Sequence, residues 1–202
     1  MIRLIRSLLF APANRHDLLK KLPRYPADAV AIDLEDGTPE NEKPAARDGL
    51  QDIVAHLRQQ HLRAGLAFGA EDFITDIGGR RTPEGLEVIY ARSRVILAAR
   101  LAGLQALDQV FTAVRDDDAF RRDAEVGRQL GYGGKMCITP RQVEIANEVF
   151  SPSAEEVDRS RRLIQAYEAA QSEGRGTIEF EGNMVDEPLL KRARAVLQLV
   201  RD

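Results

Sequence analysis

Short apolar runs alternate with helix-length amphipathic stretches through the first 150 residues, and this alternation restricts the fold more than any single motif. Strand-like runs fall at Leu4–Ala11, Ala29–Leu34, Leu66–Phe68, Ala106–Phe111 and Met136–Ile138. Between them the spacing predicts a short helix at Asp17–Leu22, then an amphipathic helix burying Ala46, Leu50, Ile53, Val54 and Leu57. A long helix follows from Pro83 to about Ala102, and another spans Ala119–Leu130. Strands alternating with helices give a parallel sheet with right-handed crossovers.

Local signals set the boundaries. Gly69 lets the backbone turn sharply after the Leu66–Phe68 strand. Thr82 reads as an N-cap with Pro83 in the first helical position, and Gly103 suits the far end. The last fifth differs in character. A charged helix opens at Ser151 or Ser153, a short strand and turn lie in TIEFEGNMVDEP, and an amphipathic helix closes the sequence with Leu189, Leu190, Ala193, Val196, Leu197 and Val200 on one face. The expected division is residues 1–150 and 151–202, the second part packing on the first or on a neighbouring subunit.

Length and composition, at 202 residues with 44% hydrophobic and 30% charged, describe a globular chain. A net charge of −3 argues against nucleic acid as a partner. The single cysteine, Cys137, excludes an intramolecular disulfide and fits a reducing, cytoplasmic setting. The apolar N-terminal stretch is too short to span a bilayer, so no membrane association is expected.

Several residues carry candidate chemistry. Glu71 and Asp72 follow a strand, where α/β proteins place their sites, and loop polarity is the competing use. Glu35 and Asp36 occupy an equivalent position, with capping of the next helix as the alternative. Arg15, Lys20 and Lys21 can meet anionic phosphates or form a solvated helix face; Arg80 and Arg81, after a glycine pair, can contact a carboxylate or phosphate, with surface charge as the preferred reading. Asp186, just before a proline region, reads as an N-cap.

Taken in order, RSLLFAPANRHDLLKKL, AVAIDLEDG, EKPAAR, GLAFGAEDF, RTPEGLEVIYARSRVILAARLAG, GYGGKMCITPRQV and FEGNMVDEP resemble the citrate lyase β-subunit family, which includes malyl-CoA and citramalyl-CoA lyases. The resemblance implies a (β/α)8 TIM-barrel with a C-terminal helical extension, a homotrimer, Mg2+, and a substrate linked to CoA or an acyl-carrier protein. It implies cleavage or formation of a carbon–carbon bond next to a thioester. Asp72 then matches the metal aspartate, with Glu71, Glu35 and Asp36 orienting its surroundings. Asp186 matches the catalytic aspartate, and Phe10, Arg15, Lys21, Ile138 and Thr139 match substrate contacts. Phe10 stands where one branch has tyrosine, and Thr139 where the family usually has histidine.

The departure concerns strand number. A (β/α)8 barrel needs eight strands and about 250 residues. Strands three to five of the family pattern are absent near residues 57–63, and with them a substrate arginine and a metal-binding glutamate. A catalytically silent carrier-binding subunit and a metal-dependent aldolase on free oxo acids are the alternatives to a lyase.

Overall fold

The structure is a computed structural model describing residues 5–33, 37–48, 65–101 and 104–200. Contacts divide the chain into two compact units, Leu4–Phe150 and Ser151–Asp202.

The first unit contains five parallel strands: β1 (Ser7–Pro12), β2 (Ala29–Asp33), β3 (Gly65–Ala67), β4 (Gln105–Asp108) and β5 (Gly134–Cys137). Its helices are α1 (His16–Leu19), α2 (Lys43–Asp48), α3 (Ala70–Asp76), α4 (Leu86–Leu101), α5 (Asp117–Leu130) and α6 (Pro140–Val149). The strand order is β2-β1-β5-β4-β3. The last strand therefore pairs with the first, Ser7 opposite Lys135 and Leu9 opposite Cys137, as strands do when a barrel closes. Of the pairings in such a ring, only the one between β2 and β3 is missing among the described residues. Among the described residues, the five strands counted in the sequence form one parallel arc and not a complete eight-stranded barrel. The predicted helical positions Leu50, Ile53, Val54 and Leu57, and the junction at 57–63, lie outside the described residues.

Strand parity gives the sheet two unlike faces. Leu9, Ala11, Ala106 and Cys137 are buried beneath helices that contribute Ile96, Ala99, Phe120, Ala124, Val143 and Ala146. Leu8, Phe10, Pro12, Ala29, Ala31 and Asp33 share the opposite face and are only half-buried. Under α4 and α5, on the helix-covered side, Arg92, Asp108, Lys135 and Asp123 form a buried ionic group. Gly127 belongs to it by omission: a Cβ there would come within 2.4 Å of Asp108 Oδ2.

Two local expectations are corrected. The long helix begins at Leu86, not Pro83, because Gly85 adopts φ +66° and the Thr82 carbonyl and hydroxyl accept from its N–H, closing a turn. The glycine turn at Gly69 leads directly into α3, a seven-residue helix that ends before Gly78.

In the second unit, α7 (Ala154–Ser172), β6 (Ile178–Phe180), β7 (Asn183–Val185) and α8 (Glu187–Gln198) surround a small core of Leu163, Tyr167, Val185, Leu190 and Ala193. Ser153, rather than Ser151, caps α7. Its hydroxyl accepts from Glu156 N at 3.0 Å while Glu156 accepts from Ser153 N at 2.8 Å.

Candidate active site

Because all five strands run parallel, their carboxyl ends share one rim, and the segments leaving β1, β2, β3 and β5 there carry most of the candidate residues. Gly69 and the short α3 put Asp72 in a first helical turn, exposed and without a hydrogen bond or ion pair among the described residues. Its carboxylate folds back toward Gly69, where a Cβ would approach Oδ2 to 3.0 Å. Glu71 is differently placed. Its Oε1 accepts from Arg81 Nε at 3.0 Å, and Arg81 also donates to Glu87 Oε1 at 2.7 Å and Gln109 Oε1 at 3.3 Å. Arg81 is therefore a half-buried clamp joining α3, α4 and the loop after β4, which corrects the reading of it as surface charge. Burial opposes ionisation of Glu87, but hydrogen bonds from Thr82 and the charge of Arg81 hold its carboxyl below the usual range.

Phe10 lies on the half-buried sheet face opposite Ala31. Ile138 is 39% exposed just beyond β5, its N–H donating to Gln142 Oε1 at 2.9 Å. The Thr139 hydroxyl accepts from Gln142 N at 3.2 Å and its carbonyl from Val143 N at 3.3 Å, so that it starts α6. Arg15 is exposed and held by Asp17 through contacts of 2.9 and 3.0 Å. Lys20 and Lys21 are exposed at the end of α1. Glu35 and Asp36 lie outside the described residues.

Two rim groups were missed in the sequence. Asp33 looks like part of an apolar strand, yet parity turns it to the face bearing Phe10, and its Oδ2 accepts from Gly37 N at 3.1 Å. Thr38 fixes this corner, donating to Asp33 O at 2.6 Å and accepting from Ala13 N at 3.0 Å. Asn14, in the loop after β1, donates to Glu42 at 2.6 Å while its buried Oδ1 accepts nothing. No sequence signal separates Asn14 from an ordinary loop asparagine.

Asp186, in the second unit, does occupy the N-cap position of α8, but its side chain makes no capping bond; only its carbonyl accepts, from Leu189 and Leu190 N. The capping use that the sequence suggested is thus unrealised.

Among the described residues no group of three or more His, Cys, Asp or Glu side chains could hold a metal. The Asp72 carboxylate, without a partner among the described residues, is of the oxygen-donor type that suits magnesium, an ion often bound through one or two carboxylates. No helix among the described residues is long and apolar enough to cross a membrane.

The HpcH/HpaI aldolase/citrate lyase family pattern matches residues 6–65 and 61–140, covering β1 through the start of α6. The chain belongs to the HpcH/HpaI aldolase/citrate lyase family. A citrate lyase subunit beta-like protein of Deinococcus radiodurans is 41% identical over 274 residues, covering 96% of each chain. That alignment is longer than the 202-residue chain, so at least 72 positions of the relative have no counterpart here. The citrate lyase subunit beta of Escherichia coli is 40% identical over 144 residues, covering 71% of this chain and 47% of its own. The chain thus spans about half the length of that relative. Among solved structures, the CitE protein of Mycobacterium tuberculosis in complex with magnesium, acetoacetate and coenzyme A matches with a TM-score of 0.80 and 27% identity, over 96% of this chain and 97% of that one. The fold of this chain is therefore similar to that of the CitE protein.

Proposed function

We propose that the chain is a magnesium-dependent carbon–carbon lyase that splits, or in reverse joins, a 3-hydroxyacyl thioester such as citryl-, malyl- or citramalyl-CoA, giving an acetyl thioester and a 2-oxo acid. The observation that carries this reading is the free carboxylate of Asp72 on the β3 rim, in a chain whose kinship to the Deinococcus protein runs from end to end. The similar CitE structure, bound to magnesium, acetoacetate and coenzyme A, supports magnesium and a CoA-linked substrate for this chain.

In the cleavage direction the substrate hydroxyl gives its proton to solvent water, which returns one to Asp186, and its oxygen becomes the keto oxygen of the 2-oxo acid. The electron pair of the broken carbon–carbon bond moves onto the acetyl carbon and its thioester oxygen as an enolate. Magnesium, when bound, supplies positive charge beside the oxo-acid oxygens. Asp72 holds that cation. Asp186 delivers a proton to the acetyl carbon, a task open to a carboxyl group with no capping bond to break. Phe10 and Ile138 offer apolar contact, Thr139 meets the thioester from the start of α6, and Arg15 and Lys21 neutralise carrier phosphates. Asn14 Oδ1 is an unsatisfied acceptor able to take a substrate donor. The working form is a homo-oligomer in which the second unit of one chain serves another.

A second reading has its own support. The 72 or more unmatched positions, with no three-residue metal group among the described residues, suit a catalytically silent, carrier-binding subunit. Incubation with malyl-CoA, citramalyl-CoA and the corresponding free hydroxy acids, in Mg2+, separates the readings by product analysis. Acetyl-CoA formation by the wild type and not by Asp186→Asn supports the lyase. Background rates for both leave the silent subunit, and turnover of free acids alone indicates an aldolase.

A further inference from the structure

One guanidinium joins three parts of the chain that reach the rim separately. Each nitrogen of Arg81 serves a different partner: Nε donates to Glu71 Oε1 on α3 at 3.0 Å, Nη1 to Glu87 Oε1 on α4 at 2.7 Å, and Nη2 to Gln109 Oε1 beyond β4 at 3.3 Å. The loop carrying Arg81 is itself closed, because Thr82 N and Oγ1 donate to the Glu87 carboxylate at 3.1 and 2.7 Å. Gln109 is 1% exposed and anchored at both ends. Its Nε2 donates to Asp123 Oδ1 at 3.2 Å, and its carbonyl accepts from Lys135 Nζ at 2.9 Å. The side-chain amide thus turns its oxygen to a cation and its nitrogen to an anion, and a flip would reverse both contacts. Through Gln109 the first turn of α3 is tied to the buried ionic group of Arg92, Asp108, Asp123 and Lys135.

This tie supplies what packing leaves open. The seven residues of α3 pack through Ala70, Phe73 and Ile74, an apolar stripe on one helix face. So short a stripe sets the depth of a helix better than its rotation. Glu71 lies about 100° round the helix from Ala70, off that stripe, so a bond there fixes the rotation. Asp72 is the next step round. At a side-chain radius of about 5 Å, a roll of about 10° carries its carboxylate about 1 Å. Magnesium demands near-ideal octahedral geometry, and a misplacement of about 1 Å can cost about a hundredfold in rate.

We infer that Arg81 and Gln109 are positioning residues for Asp72, fixing through Glu71 the rotation of α3 and hence the place of the carboxylate that takes the cation. This role rests on Asp72 as the magnesium carboxylate and gives neither residue a contact with the ion. Outer partners of this kind commonly account for about 10- to 100-fold in metal affinity.

The test titrates Mn2+, a paramagnetic stand-in for Mg2+, into the full chain without substrate and reads the free ion by electron paramagnetic resonance. Glu71→Gln combined with Arg81→Gln removes the bridge but keeps the net charge, so a change in affinity reports position rather than charge. Gln109→Met cuts the same tie at its inner end. Each should bind Mn2+ about tenfold more weakly than wild type, with faster amide hydrogen exchange in α3. The triple variant should bind no more weakly than the double one, because all three changes act through one tie. A merely structural role would lower urea midpoints and leave Mn2+ affinity unmoved. Should the double variant fail to fold, Arg81→Lys keeps the charge without the three-way fork and should show the same loss. Wild-type affinity in these variants, unchanged α3 exchange, or losses that add would overturn the inference, and the lyase reading stands as long as Asp72→Asn abolishes binding. A wild type that binds no Mn2+, or an Asp72→Asn variant that binds it as tightly, would overturn both.

Discussion

Arg92 grips Asp108 at two points in the interior, Nε to Oδ1 at 3.1 Å and Nη2 to Oδ2 at 2.6 Å, with both side chains almost wholly buried. Lys135 adds a bond to Asp108 Oδ2 at 3.1 Å and one to the Gln109 carbonyl at 2.9 Å. Removing one member strands a buried charge, which typically costs about 3–5 kcal/mol. Asp108→Asn should lower unfolding stability by that order in urea titrations. A loss below about 1 kcal/mol would show that the group is already relaxed or hydrated.

Asp123 completes the group and makes it sensitive to acid. Burial opposes its ionisation, but the charges of Lys135 and Arg92 prevail and hold its carboxyl below the usual range. A depressed folded value means its contribution is fully present above the unfolded value, about pH 4, and is lost as pH falls toward the folded one. Asp123→Asn should therefore be less stable at neutral pH, with a flatter decline below pH 4 in urea midpoints measured against pH. Parallel acid limbs would contradict this.

Cys137 is a packing residue rather than a reactive one. Burial dominates and pushes its thiol up to about 12. Native protein at pH 8 should show no titration with a thiol reagent over minutes, and one equivalent after denaturation.

Asp186 and Ser153 give opposite expectations at helix starts. Ser153→Ala removes half of a reciprocal cap and should cost about 1 kcal/mol. Asp186→Asn loses no capping bond, so stability should change by less than about 0.5 kcal/mol while thioester cleavage falls at least a hundredfold. Denaturant titration and a product assay on the same preparations check both values.

The parallel βα order was legible because brief apolar runs separated by helix-length stretches leave few other arrangements. Boundaries were less so. Thr82-Pro83 has the composition of a helix start, but the positive φ of Gly85 delays the helix to Leu86, and the Glu87 carboxylate accepts from Thr82 instead. Arg81 looked like surface charge because its partners, Glu71, Glu87 and Gln109, come from three elements. Asp33 was hidden within a strand, since only register shows which face a strand-end residue takes. Leu86, Tyr90, Leu97 and Leu101 stand at the helical spacing that core residues also show, so their exposure on α4 is not legible from the pattern.

Release of 2-oxo acid from malyl-CoA or citramalyl-CoA, followed as Mg2+ is titrated against wild type and Asp72→Asn, tests the central claim most directly. The wild-type rate should rise to saturation with Mg2+ and vanish with a chelator, while Asp72→Asn stays at least a hundredfold lower at every concentration. Wild-type protein that releases no oxo acid at any Mg2+ concentration, or an Asp72→Asn variant that matches it, would contradict the account.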